Sequence, residues 1–213
     1  MVFEVPSLVD HEMTGIILSL CDRTGIMVRP WADAGFECWC VDLQHDGDEV
    51  RDGIRFLRAD VLRFLPPKDT AFVCAMPPCT HLAVSGARWF KEKGLAALRE
   101  AVEVVERCAA ICEWSESPWL LENPIGVLST HWRKPDYIFQ PWHFGDLESK
   151  ATCLWTGGGF VMPEFECVTK PDDVRESVWR CPPGPERSNI RSETFPGFAR
   201  AVFEANCQGA NNE

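Results

Sequence analysis

The sequence predicts an α/β fold, in which helices cover both faces of an open and mostly parallel sheet. Short apolar runs of strand length alternate with helix-compatible segments along most of the chain. The first unit is a strand at 15–20, a polar turn, a helix at 26–35 and a strand at 36–41 that ends at Asp42. Strand, tight turn, helix, strand and acid is the arrangement of a nucleotide-binding unit in such sheets.

The remaining segments continue this alternation. A long amphipathic helix is predicted from the apolar stripe between Leu95 and Cys112, and a final helix runs to Asn206. The polar segment 43–55 is expected to be a loop or a short irregular helix. Further strands are predicted at 56–60, 71–75, 119–121, 137–139 and 153–155.

Three segments carry weaker patterns. Residues 1–14 are expected to form a loosely held arm, and the polar tail 208–213 is expected to fray. The loop that starts at Thr80 contains Ser85-Gly86 and Trp89-Phe90. Small residues and aromatics in such a loop could cover a bound base, or they could be ordinary packing.

Composition indicates one globular domain, 1–213, because 46% of the residues are hydrophobic and 25% are charged. The sequence has neither an apolar run of bilayer-spanning length nor a leader pattern, so no membrane association is expected. The eleven cysteines then favour a reducing, cytoplasmic setting. They and the five histidines lack the paired spacing of metal ligands, so no metal site is predicted.

The formal net charge is −11, from 21 basic and 32 acidic residues. This charge argues against a dedicated non-specific nucleic-acid binder, because such binding depends on neutralising phosphates. A local basic face is still compatible with it, or the charges could be an ordinary solvated surface. The arginines of the last third are Arg175, Arg180, Arg187, Arg191 and Arg200.

The first candidate site residue is Cys79, in the sequence Pro77-Pro78-Cys79. The strand at 71–75 must end at the prolines, because proline cannot donate to a sheet ladder. Cys79 is therefore expected on a sharp turn at the carboxyl edge of the sheet, where ligands bind in open α/β folds. The alternative is a buried thiol that only packs.

The second candidate is Glu122, which follows the apolar strand 119–121 and precedes Asn123-Pro124. A carboxylate between a strand and a proline stop has a fixed direction. The alternative is a turn stabilised by the asparagine side chain.

Taken in order, Pro78-Cys79 and Glu122-Asn123 on an alternating α/β pattern resemble the cytosine carbon-5 methyltransferases, which use a Pro-Cys nucleophile and a Glu-Asn pair. The resemblance implies a Rossmann-like sheet, S-adenosylmethionine as cofactor, and a final helix that belongs to the family's closing motif, which packs beside the first motif. Residues 19–25 look like the family's first motif, Phe-x-Gly-x-Gly-Gly, although only Gly25 of its glycines is kept.

The resemblance also implies residue roles at the cofactor. Asp42 matches the acid that binds the ribose. Asp60 matches the acid near the adenine amino group, although it could equally cap the short helical turn at 61–65. The full set of cofactor-binding residues is then Ser19, Leu20, Asp22, Thr24, Gly25, Asp42, Asp60 and Pro77.

A third set of residues is assigned to the substrate. Lys150 and Thr152 occupy the places of the arginines in the family's Gln-x-Arg-x-Arg segment. The Phe-Gly-Asp, Lys-x-Thr and Leu-Trp pieces around them are similar to small methylase-like proteins of phages, which implies the cytoplasm of a bacterial host cell. Segment 157–190 is a short loop-rich insertion where the family has a large target-recognition domain. The predicted substrate-binding residues are Pro78, Lys150, Thr152 and Arg191.

The implied activity is methyl transfer to carbon 5 of cytosine in DNA, with Cys79, Glu122 and Asn123 as catalytic residues. Cys79 would add to carbon 6, Glu122 would hydrogen-bond the base, and Asn123 would orient the loop. Two alternatives remain open: modification of a free cytosine nucleotide, and a non-catalytic methylase-like binding module. A protein partner could supply DNA recognition to so small and acidic a chain.

Overall fold

The computed structural model describes residues 15–85, 90–184 and 186–207. The arm at 1–14, the tail at 208–213 and residues 86–89 of the loop after Cys79 lie outside the described residues, and so do the predictions made for them. The strands are, in chain order, β1 (Ile16–Leu20), β2 (Glu37–Asp42), β3 (Glu49–Arg51), β4 (Ile54–Arg58), β5 (Thr70–Ala75), β6 (Trp119–Pro124), β7 (Tyr137–Phe139) and β8 (Thr152–Gly157).

Six α-helices are described, together with a 3₁₀ turn at Pro141–Phe144. None of the described helices is both long and apolar enough to cross a bilayer. The helices are α1 (Arg29–Asp33), α2 (Phe90–Trp114), α3 (Leu128–His131), α4 (Ser177–Arg180), α5 (Arg187–Ser192) and α6 (Pro196–Cys207).

The eight strands form one mixed sheet in the order β3-β4-β2-β1-β5-β6-β8-β7. The five strands from β4 to β6 are parallel to one another, whereas β3 and β8 run antiparallel to their neighbours β4 and β6. From β1 the chain first builds outward through β2 to β4, and it then returns to place β5 on the other side of β1. The strand order therefore reverses between β1 and β5, and such a switch point opens a crevice at the carboxyl ends of the strands.

Helices cover both faces of the sheet, as the sequence predicts. All five residues of β1 are buried, which is typical of a central parallel strand. Ile17 faces the layer that contains α1 and α6, and Leu18 faces the layer that contains α2. The final helix α6 packs against α1, where the Trp31 and Phe203 rings lie edge to face at 5.0 Å. The architecture is α/β and compatible with a Rossmann-like fold.

Some local expectations differ from the structure. The prediction of a loop or irregular helix over 43–55 is wrong, because β3 forms an antiparallel hairpin with β4. Its three residues are all exposed, so they carry no apolar alternation that would indicate a strand. Pro124 does not stop β6 at Glu122 either: Asn123 and Pro124 still pair with β8 on the antiparallel side.

Candidate active site

A cavity of about 530 Å³ opens at the switch point, at the carboxyl ends of β1 and β5. Its volume lies within the usual range for small-molecule sites, about 300–1,000 Å³. One wall is the turn after β1, and the opposite wall is the loop after β5. Helix α5 and the segment that follows it line the third side. The wall includes Cys21, Asp22, Arg23, Thr24, Asp42, Met76, Pro78, Cys79, Ser85, Lys150, Arg187, Arg191, Glu193 and Thr194.

The turn after β1 is organised by the buried carboxylate of Asp22. Its Oδ1 accepts hydrogen bonds from the backbone N–H groups of Thr24 at 2.9 Å and Gly25 at 2.8 Å, and its Oδ2 accepts one from the Ser19 hydroxyl at 2.9 Å. These donors point into the protein and not into the cavity. The Asp22 carboxylate thus satisfies the backbone N–H groups of a turn that contains a single glycine. A glycine-rich loop is therefore not needed to form this turn.

The eight residues predicted at the cofactor are not all in the cavity wall. Asp22, Thr24 and Asp42 lie in the wall. Ser19, Leu20 and Pro77 are buried, and Gly25 lies against a separate depression beside α1. Asp60 accepts the Leu62 backbone N–H at 3.0 Å, so it caps the short turn that follows β4.

Asp42 brings an acceptor to the cavity at the end of β2. One of its oxygens accepts the backbone N–H of Gln44 at 2.7 Å. Burial raises the pKa of the Asp42 carboxyl, and the Gln44 hydrogen bond opposes this shift. A hydroxyl-rich ligand is a suitable partner for such a partly buried acceptor, because it can donate without bringing charge.

Cys79 lies at the start of a tight turn on the opposite wall. The Cys79 carbonyl accepts the backbone N–H groups of Leu82 at 3.0 Å and Ala83 at 2.9 Å. The side-chain amide of Asn123, a residue only 1% exposed, donates to the Pro77 carbonyl at 2.8 Å. This bond joins the end of β6 to the loop that carries Cys79, so the two strand ends hold one another in place.

Glu122 lies beside Lys150, and their charged groups approach to 3.6 Å. Both side chains are largely buried, with 17% and 12% of their surface exposed. Lys150 lines the main cavity as well as a small internal pocket that Glu122 and Thr152 also line. The Glu122 carboxylate is therefore behind Lys150 as seen from the main cavity.

The charges of these neighbours act on the pKa of the Cys79 thiol. Burial raises the pKa of Cys79, and the Glu122 carboxylate raises it further, whereas Lys150 and Arg191 lower it. The structure thus brings Cys79, Glu122, Lys150 and Arg191, which come from four different elements, within electrostatic reach of one another.

The insertion contributes more to the site than its loop-like sequence suggests. Arg187 and Arg191 of α5 lie in the cavity wall, and Arg191 donates from Nη2 to the Ser85 hydroxyl at 3.3 Å. The segment that joins α5 to α6 is held by an Arg23–Glu193 salt bridge of 3.4 Å to the turn after β1. Sequence reasoning singled out Arg191 but missed Arg187, Arg23 and Ser85 as wall residues. The signal available for Arg187 was the run of late arginines.

Metal chemistry finds no support in the arrangement of the side chains. Within the described residues, no three His, Cys, Asp or Glu side chains are grouped so that they could hold a metal ion. The described residues include all eleven cysteines, and none of them forms a disulfide bond.

No family model matches the chain, and no curated protein matches its sequence.

Proposed function

We propose that this protein transfers a methyl group from S-adenosylmethionine to carbon 5 of cytosine, with Cys79 as the nucleophile. The observation that carries the proposal is that Cys79 and Lys150 line one switch-point cavity, and that Lys150 is paired with Glu122, whose charge also acts on the Cys79 thiol. Asp42 and the turn after β1 line the same cavity. Cytosine in DNA and a free cytosine nucleotide are the two candidate substrates.

The cavity residues fit the cofactor in part. The volume of about 530 Å³ suits a nucleoside-sized ligand, and Asp42 offers an acceptor for ribose hydroxyls. The inward-pointing N–H groups of Thr24 and Gly25 are engaged by Asp22, so the methionine end would need other partners, such as Arg23 for its carboxylate. S-Adenosylmethionine, when bound, supplies the methyl group that carbon 5 of the base accepts.

The chain's own residues would activate the base. The Cys79 sulfur forms a bond to carbon 6, and the electron pair of the C5–C6 double bond moves to carbon 5, which becomes nucleophilic. Glu122 shares a proton with the ring nitrogen and accepts a hydrogen bond from the exocyclic amine, which stabilises the charge that the addition moves into the ring. After methylation a base removes the proton on carbon 5, the C6–S bond breaks, and the Cys79 thiolate is restored; water can serve as that base.

The electrostatics of Cys79 are compatible with this sequence of steps. The thiol must lose its proton to react, and in the free protein burial and Glu122 hold its pKa above the ordinary value. When Glu122 shares a proton with the bound base, its negative charge no longer opposes thiolate formation. Burial still raises the pKa of the thiol, but Lys150 and Arg191 are then the charged neighbours that act on it, and both favour the thiolate.

The direct test is a mechanism-based trap. The full chain is incubated with S-adenosylmethionine and 5-fluorocytosine, supplied in DNA and separately as the nucleotide, and adducts are measured by mass spectrometry. We expect a covalent adduct on the Cys79 peptide, because fluorine blocks the final proton removal. The adduct should be absent in Cys79→Ser and retained in Cys167→Ser, a control that removes a cysteine outside the cavity wall. Absence of an adduct and of methyl transfer with every cytosine substrate would contradict the proposal.

A non-catalytic binding module is a second candidate. One observation favours it: burial and the Glu122 carboxylate raise the pKa of the Cys79 thiol, which opposes its use as a nucleophile. Calorimetry with S-adenosylmethionine followed by the trap separates the two functions. Cofactor binding without any adduct or turnover would favour the module.

A further inference from the structure

We propose that Arg187 and Arg191 of α5 form a phosphate-binding subsite, and that the substrate is a free cytosine nucleoside monophosphate rather than a polynucleotide. This inference rests on the proposed function, because the phosphate belongs to the molecule whose base would meet Cys79. It goes beyond that function by selecting between the two candidate substrates.

Two of the four basic side chains in the cavity wall are already paired with carboxylates. Four basic side chains line the cavity: Arg23, Lys150, Arg187 and Arg191. Arg23 is paired with Glu193 and Lys150 with Glu122, at 3.4 and 3.6 Å. Within the described part of the chain, Arg187 and Arg191 have no salt-bridge partner. Two uncompensated guanidinium groups in one wall favour an anionic ligand.

The guanidinium group of Arg191 is incompletely hydrogen-bonded. Its Nη2 donates to Ser85, but its Nε is buried and has no hydrogen-bond partner among the described residues. A buried donor without an acceptor is unfavourable, and a phosphate oxygen is the acceptor that a guanidinium fork fits best. Arg191 also reaches the loop of Cys79 through Ser85, so an anion held there lies on the same side of the cavity as the nucleophile.

The two possible substrates differ in the negative charge that the protein must neutralise. A phosphate monoester carries about −1.5 to −2 at neutral pH, which two guanidinium groups neutralise. Duplex DNA presents roughly one negative charge per 1.7 Å of its axis and therefore needs a broad basic surface. The neighbouring cations Arg175 and Arg180 are already paired, with Glu148 and Glu176. The chain as a whole carries a net charge of −11, so a polyanion is repelled more strongly than a mononucleotide.

The test is calorimetry on the full chain with three probes: dCMP, deoxycytidine, and a cytosine-containing single-stranded oligonucleotide without a terminal phosphate. Variants Arg187→Gln and Arg191→Gln are compared with Arg63→Gln, which removes the same charge from an exposed position in the turn after β4. A thermal unfolding midpoint checks that each variant is folded. The lysine variants at 187 and 191 retain the charge but lose the fork.

We expect the wild type to bind dCMP at least tenfold more tightly than deoxycytidine. Each glutamine variant at 187 or 191 should lose most of that preference, and the lysine variants should recover part of it. Arg63→Gln should keep it. In the Arg187 variants, affinity for deoxycytidine should change far less than affinity for dCMP, because the subsite contacts the phosphate.

Several outcomes would overturn the inference. One is dCMP binding no tighter than deoxycytidine; another is a change in S-adenosylmethionine affinity with no change in dCMP affinity, which would assign the arginines to the cofactor carboxylate. Methyl transfer to DNA with dCMP inert would also overturn it while leaving the proposed function intact. Failure of the proposed function is recognised separately, as the absence of methyl transfer and of adduct with every cytosine substrate.

Discussion

At the scale of single residues, Cys79 is poised between opposing influences on its protonation. Burial and the Glu122 carboxylate favour the neutral thiol, whereas Lys150 and Arg191 favour the thiolate. The reactivity of this thiol therefore reports the charges around it, even without any substrate. This makes the electrostatics of the site measurable separately from its proposed chemistry.

Replacing Glu122 by Gln should lower the pKa of Cys79, and replacing Lys150 by Met should raise it, because each change removes one of the charges that act on the thiol. Alkylation by iodoacetamide requires the thiolate. Its rate on the Cys79 peptide, followed by mass spectrometry, should therefore rise at lower pH in Glu122→Gln and at higher pH in Lys150→Met than in the wild type. Shifts of the same sign in both variants would contradict the arrangement.

Asp22 is a residue whose importance lies in structure. Replacement by Ala removes the acceptor for the Thr24 and Gly25 N–H groups and for the Ser19 hydroxyl, and should lower the free energy of unfolding by about 2–4 kcal/mol. Asp22→Asn keeps one acceptor oxygen and should lose less. Urea unfolding measures both, and equal losses in the two variants would mean that the carboxylate does not organise the turn.

At the scale of elements, the loop after β5 and the segment after β6 form one unit. Backbone hydrogen bonds join Val84 to Ile125 at 3.0 Å and Val127 to Leu82 at 2.9 Å. Gly126 lies between them so closely that a Cβ would come 2.1 Å from the Leu82 carbonyl oxygen. This contact, like the Asn123–Pro77 bond, couples the element of Glu122 to the element of Cys79.

Gly126→Ala should therefore push the two segments apart and lower the free energy of unfolding by about 1–3 kcal/mol, as expected for overpacking against backbone. Gly47→Ala is the matched control, because a Cβ there would meet nothing within 4 Å. Urea unfolding of both variants measures the difference. The close approach is not a constraint on the fold if the two variants prove equally stable.

How far the sequence predicts these elements depends on burial. Strands such as β1 and β5 could be recognised because their residues are almost all buried, and proline stops correctly placed Cys79 just beyond β5. The exposed β3 could not be recognised, since none of its residues faces the core. Helix α5 has no buried residue, so no apolar pattern in the sequence indicates that this segment folds back over the cavity.

The same reasoning applies to the candidate site. Cys79 and Glu122 follow neighbouring parallel strands, β5 and β6, and strand-end logic was enough to bring them together. The role of Asp22 was missed because a hydrogen-bonded turn acceptor and a ligand contact look alike in sequence. Arg187 was missed as a wall residue because its position depends on a tertiary contact made by a short, exposed helix.

At the scale of the whole molecule, the distribution of charge limits which partners can approach. The net charge of −11 repels polyanions at long range, and most basic side chains around the cavity already have carboxylate partners. For a cytosine in long DNA to reach the site, a partner protein would have to hold the DNA against this repulsion. The base would also have to be flipped out of the duplex in the bound complex. A small nucleotide would meet only the two uncompensated arginines.

This charge pattern predicts that the isolated chain binds duplex DNA weakly and with a shallow dependence on salt concentration. The logarithm of the binding constant falls with the logarithm of salt concentration by roughly 0.9 per neutralised phosphate, so two available arginines allow a slope no steeper than about −2. Fluorescence anisotropy with a labelled duplex between low and physiological salt measures this slope, and the double variant Arg187→Gln/Arg191→Gln should flatten it further. Tight duplex binding with a slope of about −5 or steeper would require a basic surface that the described residues do not provide, and would return DNA to the position of preferred substrate.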